Sequence, residues 1–452
     1  MTHNQYQSYE LKKLSEICHS MPKFSEETYK TNEVKRGLRD EKGAGVVTGL
    51  TDISDVIAKK KVDGVLVPCP GELYYRGIDV RKMIDNYDDE LKLGFEEATY
   101  LLLFNKLPTR QELLEFQKLL VSFRKIPKNF VRDVIMKAPN KDIMNSLARS
   151  ILNLYSYDPR ALDNSLDNVL RQSLALIALT PIIAVYAYHA HTHYNENKSL
   201  VIHRPNPELS TAENVLHMLR EDSQFTALEA KVLDIAFILH AEHGGGNNSS
   251  FTTHVVTSAG TDTYSTITAA LCSLKGHRHG GANIKVMEMM QDIKKHVSDW
   301  SDDDEIRAYL SKILAGEAND KSGLIYGMGH AVYSVSDPRA QVFKGFVEAL
   351  AAEKGRKKEF NLYNKIEKIS EQVICEKRKV IKGVSANVDF YSGFVYNMLG
   401  LPIELYTPMF AVARMSGWSA HRMEEILNNG KIIRPAYVST NGRNPYIPIE
   451  ER

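Results

Sequence analysis

The chain has 452 residues, 43% of them hydrophobic, which at ~100 to 200 residues per domain allows two or three domains with sizeable cores. Its 57 Lys and Arg against 56 Asp and Glu leave no net field to hold nucleic acid or an anionic membrane, so any bound anion must meet a local cluster of cations. The 27 Gly and 16 Pro fall below the ~12% of an average chain, too little turn material for an all-β fold. Cys18, Cys69, Cys272 and Cys375 form no CxxC pair, and the start Met1-Thr2-His3-Asn4 opens no basic-then-apolar leader, so a reducing cytoplasm is expected.

In chain order, roughly the first 60 residues mix Lys and Glu with few apolar anchors, and Lys59-Lys60-Lys61 reads as solvated surface. Gly64-Val65-Leu66-Val67-Pro68 and Glu72-Leu73-Tyr74-Tyr75-Arg76-Gly77 are β-rich pieces on either side of Pro70-Gly71, which predicts a small hairpin turning there. From Phe95 the pattern is helical. Leu101, Leu102, Leu103 and Phe104 close one helix, and Pro108-Thr109 introduces Leu113, Leu114, Phe116, Leu119 and Leu120 at three-to-four spacing. The most apolar stretch, 174–188, is shorter than the ~18 residues of a membrane span and reads as a buried helix.

The charged segments 298–305 and 351–358 flank shorter apolar stretches than those before Gly276. They predict a smaller helical domain at 280–394, inserted into a large helical domain made of 1–279 and 395–452. The expected fold is all-α in two domains, with a short β hairpin near the start.

Histidine is the side chain to follow, since several of the 15 crowd together. Residues 223–243 read as one helix with Gly244 as its stop, which puts His240 and His243 one turn apart on one face. The negative helix end there favours a cationic His243 that donates to an anion, although a ring that merely caps carbonyls fits the same place. The segment Gly276-His277-Arg278-His279-Gly280-Gly281-Ala282-Asn283 precedes a helix carrying Val286, Met287, Met290 and Ile293. Ahead of that helix His279 is kept neutral, able to donate one proton to a developing enolate oxygen. Taken as zinc ligands, His240, His243, His254, His277 and His279 lack an HExxH spacing, and no metal is expected.

Leu324-Ile325-Tyr326-Gly327-Met328-Gly329-His330 is followed by Asp337-Pro338-Arg339. No Lys-Ser/Thr follows the glycines, so this is no Walker loop; it is a simple turn or a loop whose backbone meets a nucleotide. In Asn387-Val388-Asp389-Phe390-Tyr391-Ser392-Gly393, Asp389 is placed to cap a helix. Arg414 falls within the apolar run that begins Met409-Phe410-Ala411-Val412-Ala413, and a buried guanidinium needs a carboxylate from the protein or from a ligand. Arg434 follows Ile432-Ile433 near the end.

Together HAEH, HGGAN, GMGHAVYSVSDPR, NVDFYSG, the Arg before SGW and IIRP form one ordered pattern, joined by GELYYRGIDV, GFEEATYLLLFNKLPTRQEL and HRPNPELSTAENVLHML. This resembles the citrate synthase family from about residue 64 to 440. The resemblance implies condensation of acetyl-CoA, a co-substrate and not a resident cofactor, with oxaloacetate, then hydrolysis to citrate and CoA. It implies Asp389 as the base, His279 as donor to the thioester oxygen, and His330 as donor to the oxaloacetate carbonyl. His243, Arg339 and Arg414 match oxaloacetate-binding positions, and Arg434 one contributed by the partner subunit of a homodimer. Leu324, Ile325, Tyr326, Gly327, Met328 and Gly329 match backbone that recognises the CoA adenine.

The chain departs from relatives at Ala331 and Ser334, where basic residues are frequent, at Glu242 in place of Asp, and at HRHGG. A rival within the family is 2-methylcitrate synthase acting on propionyl-CoA; a rival of another class is a non-catalytic helical protein binding a metal or partner through its histidines. The HAEH-to-IIRP pattern favours the enzyme, with no nucleic acid and no membrane partner.

Overall fold

The structure is a computed structural model that describes residues 3–40, 43–330, 332–378 and 383–452; Ala331 lies outside the described residues. The chain forms two compact units, one of residues 51–433 and one of the two termini, 1–50 with 434–452.

The terminal unit contains the helices His3–Ser20 and Glu26–Thr31. Ser25 caps the second by accepting from the Thr28 amide at 3.1 Å. Residues 434–448 have no regular structure, and a short 3-10 turn follows at Ile449–Glu451.

The 51–433 unit is helical apart from one antiparallel sheet of β1 (Ser54–Val62), β2 (Val65–Tyr75) and β3 (Ile78–Asp79). The predicted hairpin exists, but its turn is not at Pro70-Gly71. Both β-rich pieces belong to β2, and β2 pairs with β1 in the register Val62↔Val65 and Ser54↔Tyr75. The reversal falls at Asp63-Gly64, where both residues have positive φ, 49° and 82°, the backbone a two-residue hairpin loop of this hand requires. The lysine run lies in β1, and its three residues are exposed, as a solvated surface has them.

Helices begin where short polar side chains meet the first free amides. Thr109, Ser210 and Thr226 each form a reciprocal capping box with a Glu three residues on, opening Arg110–Phe123, Thr211–Leu219 and Ala227–His240. The apolar stretch 174–188 lies within a longer helix, Leu166–Glu196. That helix has the length and composition to cross a membrane, but 83% of its most apolar window is buried inside the protein. It packs against Tyr406–Leu427, a helix buried on every side from Tyr406 to Met423. An all-round apolar helix is stable only inside a core, where each fully buried large side chain contributes ~1.5–3 kcal/mol. The Tyr406–Leu427 helix in turn packs against Ala227–His240 and Ala282–His296.

Candidate active site

Four segments converge on the middle of Tyr406–Leu427. The first is the turn after Ala227–His240. The helix stops at His240, three residues earlier than the sequence reading had it, and Gly244 follows with φ 88°. His243 thus stands in the turn and not on the helix face. Its cationic form is not favoured either: burial, then the charge of Arg339 and the neighbouring His330 and Arg414, hold its pKa well below the usual imidazole value. The ring is neutral, and its Nε2 is buried without a protein partner among the described residues.

The second segment leads into Ala282–His296, whose helix begins after Gly281. His279 lies just ahead, as predicted, with its pKa lowered to about 4, first by burial and then by Arg414. Its Nε2 is 3.1 Å from the Ser249 Oγ, which also accepts from the Trp418 indole N–H at 3.1 Å. Gly280 has no room for a side chain, because a Cβ there would come within 2.4 Å of the Leu274 carbonyl oxygen.

The third segment runs from the glycine loop into Pro338–Glu353. His330 stacks on Tyr333 at 4.9 Å between ring centroids and meets His243 edge-on at 5.3 Å. The His330 Nδ1 accepts from the amides of Val332 and Tyr333, at 3.0 and 3.1 Å. An acceptor Nδ1 places the ring proton of the neutral form on Nε2. Asp337 caps the helix and grips Arg339 in a fork, Nε to Oδ1 at 3.0 Å and a terminal nitrogen to Oδ2 at 2.8 Å. Burial alone would lower the Arg339 pKa, but Asp337 more than offsets it and the net direction is upward.

The fourth segment opens Val388–Met398. Its cap is Asn387, whose side chain accepts from the Asp389 amide at 3.0 Å. Asp389 is not the cap; it occupies the first turn, where its carboxyl is free for other work. Burial raises its pKa to about 6, and Arg339 and Arg414 limit the rise. The loop 327–329 is tied to this helix start. Asn387 N–H donates to the Gly327 carbonyl at 2.9 Å, Gly329 N–H to the Ser385 carbonyl at 2.8 Å, and the Asn387 side chain to the Gly329 carbonyl at 2.8 Å. Gly327 has φ 78° and a Cβ there would sit 2.9 Å from Phe390, so only glycine fits. Within the loop Ile325 is buried, Leu324 is exposed, and the Tyr326 hydroxyl donates to Asp320 at 2.6 Å. A cavity of about 880 Å³ lies beside the loop, lined by Met328, Asp337, Lys344, Asn364, Lys368 and Ala386 among others.

Arg414 connects all four segments. Fully buried, it donates from Nε to the His240 carbonyl at 2.7 Å, and its two terminal nitrogens have no acceptor among the described residues. Its charge acts on His243, His279 and Asp389, and burial lowers its own pKa to about 10. Two donors aimed at no protein acceptor fit an anionic ligand with two oxygens. Arg434 belongs to the terminal unit. Ser249, Tyr333 and Asp337 were not singled out from the sequence; of these only Asp337 had a signal, standing two residues before Arg339.

The chain matches the family model described as citrate synthase, C-terminal domain, over residues 42–436. It is 35% identical over 93% of its length to a citrate synthase of Synechocystis sp., covering 95% of that protein. It is 33% identical over 84% of its length to a 2-methylcitrate synthase of Shewanella oneidensis, covering 93% of it. Among solved structures, it resembles the ternary complex of carboxymethyl coenzyme A and oxaloacetate with citrate synthase from Thermoplasma acidophilum. The TM-score is 0.74 at 28% identity, over 92% of this chain and 99% of that one. With the matched region spanning most of the chain and the fold shared along it, this protein is an enzyme belonging to the citrate synthase family.

Proposed function

We propose that this enzyme condenses acetyl-CoA with oxaloacetate and hydrolyses the resulting thioester to citrate and CoA, with Asp389, His279 and His330 as its catalytic residues. The observation that carries the reading is the pairing of a carboxylate with pKa about 6 and a histidine with pKa about 4 beside one buried arginine. A thioester α-proton is too weakly acidic for a carboxylate alone. One positioned acid or base contributes roughly 10²- to 10⁴-fold, so a second group must stabilise the enol oxygen. Asp389 takes the methyl proton, and neutral His279 donates to the thioester oxygen as the enol forms. The enol carbon attacks the oxaloacetate ketone, whose oxygen receives the proton of His330 Nε2.

Oxaloacetate brings two carboxylates. The free nitrogens of Arg414, the remaining terminal nitrogen of Arg339 and the unpartnered His243 Nε2 supply the donors. Arg434, reaching in from the partner subunit of a homodimer, adds a further cation. The exposed apolar residues Leu11, Leu14 and Ile17 of the first helix support association of two copies. The backbone of residues 324–329 takes the CoA adenine. The cavity beside it is of a size that suits an extended co-substrate, and Lys368 offers the phosphates the charge that Ser334 lacks, while Lys344 is paired with Glu367 at 2.6 Å. Closing of the 280–394 domain over the large one excludes water from the enol. The near-neutral charge and separated cysteines support a cytoplasmic location.

The relatives named 2-methylcitrate synthase support a second reading, in which the thioester is propionyl-CoA. One methyl group is worth about 1–3 kcal/mol of selectivity. The deciding experiment is CoA thiol release with oxaloacetate, comparing kcat/KM for acetyl-CoA and propionyl-CoA with chelator present. Preference for acetyl-CoA is expected. Preference for propionyl-CoA moves the enzyme to methylcitrate synthesis with the same residues, and no release with either refutes the catalytic roles.

A further inference from the structure

Behind the substrate-facing residues, on the other side of the 240–244 turn, four side chains form an unbroken line. The His254 Nδ1 lies 2.7 Å from the Glu425 Oε2, the His254 Nε2 lies 3.0 Å from the His421 Nδ1, and the His421 Nε2 lies 3.0 Å from the Glu242 Oε1. Each of these contacts needs a proton between its two heavy atoms. Two neutral imidazoles bring one ring proton each, so one contact is left as lone pair against lone pair.

The missing proton is not on Glu242. Its Oε1 already accepts from the Ser54 hydroxyl at 2.9 Å and from the Gly244 amide, and His421, Arg414 and Ser54 hold its pKa well below the usual carboxylate range despite burial. A metal ion between the rings fits less well. Two nitrogens bound to one zinc at ~2.0–2.1 Å stand about 3.3 Å apart, farther than these, and the nearest further ligand, Glu424 Oε2, is 3.9 Å from His421 Nδ1.

We propose that His254 and His421 are positioning residues for oxaloacetate: together they hold one proton more than two neutral rings carry, and this buried imidazolium fixes Glu242 and with it the turn bearing His243. The inference rests on the reading of His243 and Arg414 as oxaloacetate ligands. Glu242 ties the His243 turn to β1 through Ser54 and to the Tyr406–Leu427 helix through His421. Its charge also acts on Arg414. Gly245 roofs the pair, since a Cβ there would lie 3.4 Å from the His421 ring. The titratable groups facing the pair are Glu242, Glu424 and Glu425; Arg76, Asp52, Tyr75 and Arg414 surround those carboxylates. Burial, then the charge of His421, lowers the His254 pKa.

Glu425→Gln tests this without removing a contact. Its amide N–H can donate to His254 Nδ1, His254 Nε2–H to His421, and His421 Nε2–H to Glu242, so the line is complete with both rings neutral. In the wild type the oxaloacetate KM should rise about fivefold on the alkaline side, the equivalent of one ordinary hydrogen bond, with kcat nearly unchanged. In Glu425→Gln that rise should disappear, and Glu425→Ala, which leaves two contacts for the two ring protons, should lose it as well. Histidine-selective ¹⁵N spectra of the ligand-free enzyme should show one imidazolium at pH 7 that Glu425→Gln abolishes. Superimposable pH profiles, a neutral pair in the wild-type spectrum, or stoichiometric metal in the purified protein would each overturn the proposal. Because the spectrum reads the pair without substrate, loss of the imidazolium in Glu425→Gln upholds the proton assignment even where the preferred thioester is not acetyl-CoA.

Discussion

The imidazole of His279 and the indole of Trp418 share one oxygen, the Ser249 Oγ, at 3.1 Å from each. The indole can only donate, so it fills one lone pair of the hydroxyl; the O–H, which also has the Asn247 Oδ1 as an acceptor at 3.0 Å, can turn toward His279 Nε2. Turned that way, the serine fixes the histidine proton on Nδ1. Ser249→Ala should lose this control and lower kcat about 10- to 150-fold, the equivalent of ~1.5–3 kcal/mol, with oxaloacetate KM little changed. Steady-state kinetics with both substrates varied checks it; an unchanged kcat would remove Ser249 from the mechanism.

Asp389 must be ionised to take a proton, and its pKa stands at about 6. Activity should therefore fall as pH drops through about 6, in a kcat/KM profile for the thioester. Stability has the opposite sign. The folded pKa lies above the unfolded value of 3.8, so the unfolded chain ionises first and stability is lost as pH rises from about 4 to 6. Asp389→Asn should abolish condensation and at pH 7.5 raise stability by about 2 kcal/mol, somewhat less than the full shift implies because the residue keeps partial solvent access. Denaturant unfolding of the two proteins measures the difference.

Arg414→Lys retains the charge and removes the two-pronged donor. Oxaloacetate KM should rise by about 10-fold or more, with thioester KM nearly constant. Isothermal titration with oxaloacetate alone provides the check, and equal affinity would mean that Arg414 serves only the fold.

The helical fold and the helix start after Thr109 were legible in the sequence from local spacing, whereas His243, His279, His330, Arg339, Asp389 and Arg414 were joined only through the resemblance of their motifs to a known family. Other features depended on distant partners. The turn at Asp63-Gly64 was passed over because Pro70-Gly71 is the stronger turn signal, while β2 tolerates that pair in strand. The charge state of His243 was misjudged because helix polarity was visible in the sequence, while the burial of the ring and the approach of Arg339 and Arg414 were not. Ser249 carries no motif of its own; its role exists only once Trp418, far along the chain, is folded beside it.

Gly327→Ala should strain a backbone at φ 78° and press a methyl group into Phe390. A loss of ~1–3 kcal/mol is expected, divided between thioester KM and kcat, since the disturbed neighbour is the residue after Asp389. A kinetic change confined to KM would show that the loop moves independently of the base.

The loop 327–329 and the start of the Asp389 helix are laced together by the amide of Asn387, its side chain and the Gly329 amide. A tremor in one is therefore a tremor in the other. Under the proposed roles, variation that reshapes how the far end of a long substrate is gripped should also re-aim the carboxylate at its near end. Changes in coenzyme preference in this scaffold must therefore arise elsewhere, in the walls around the acyl group, because the lacing leaves the loop little freedom to drift.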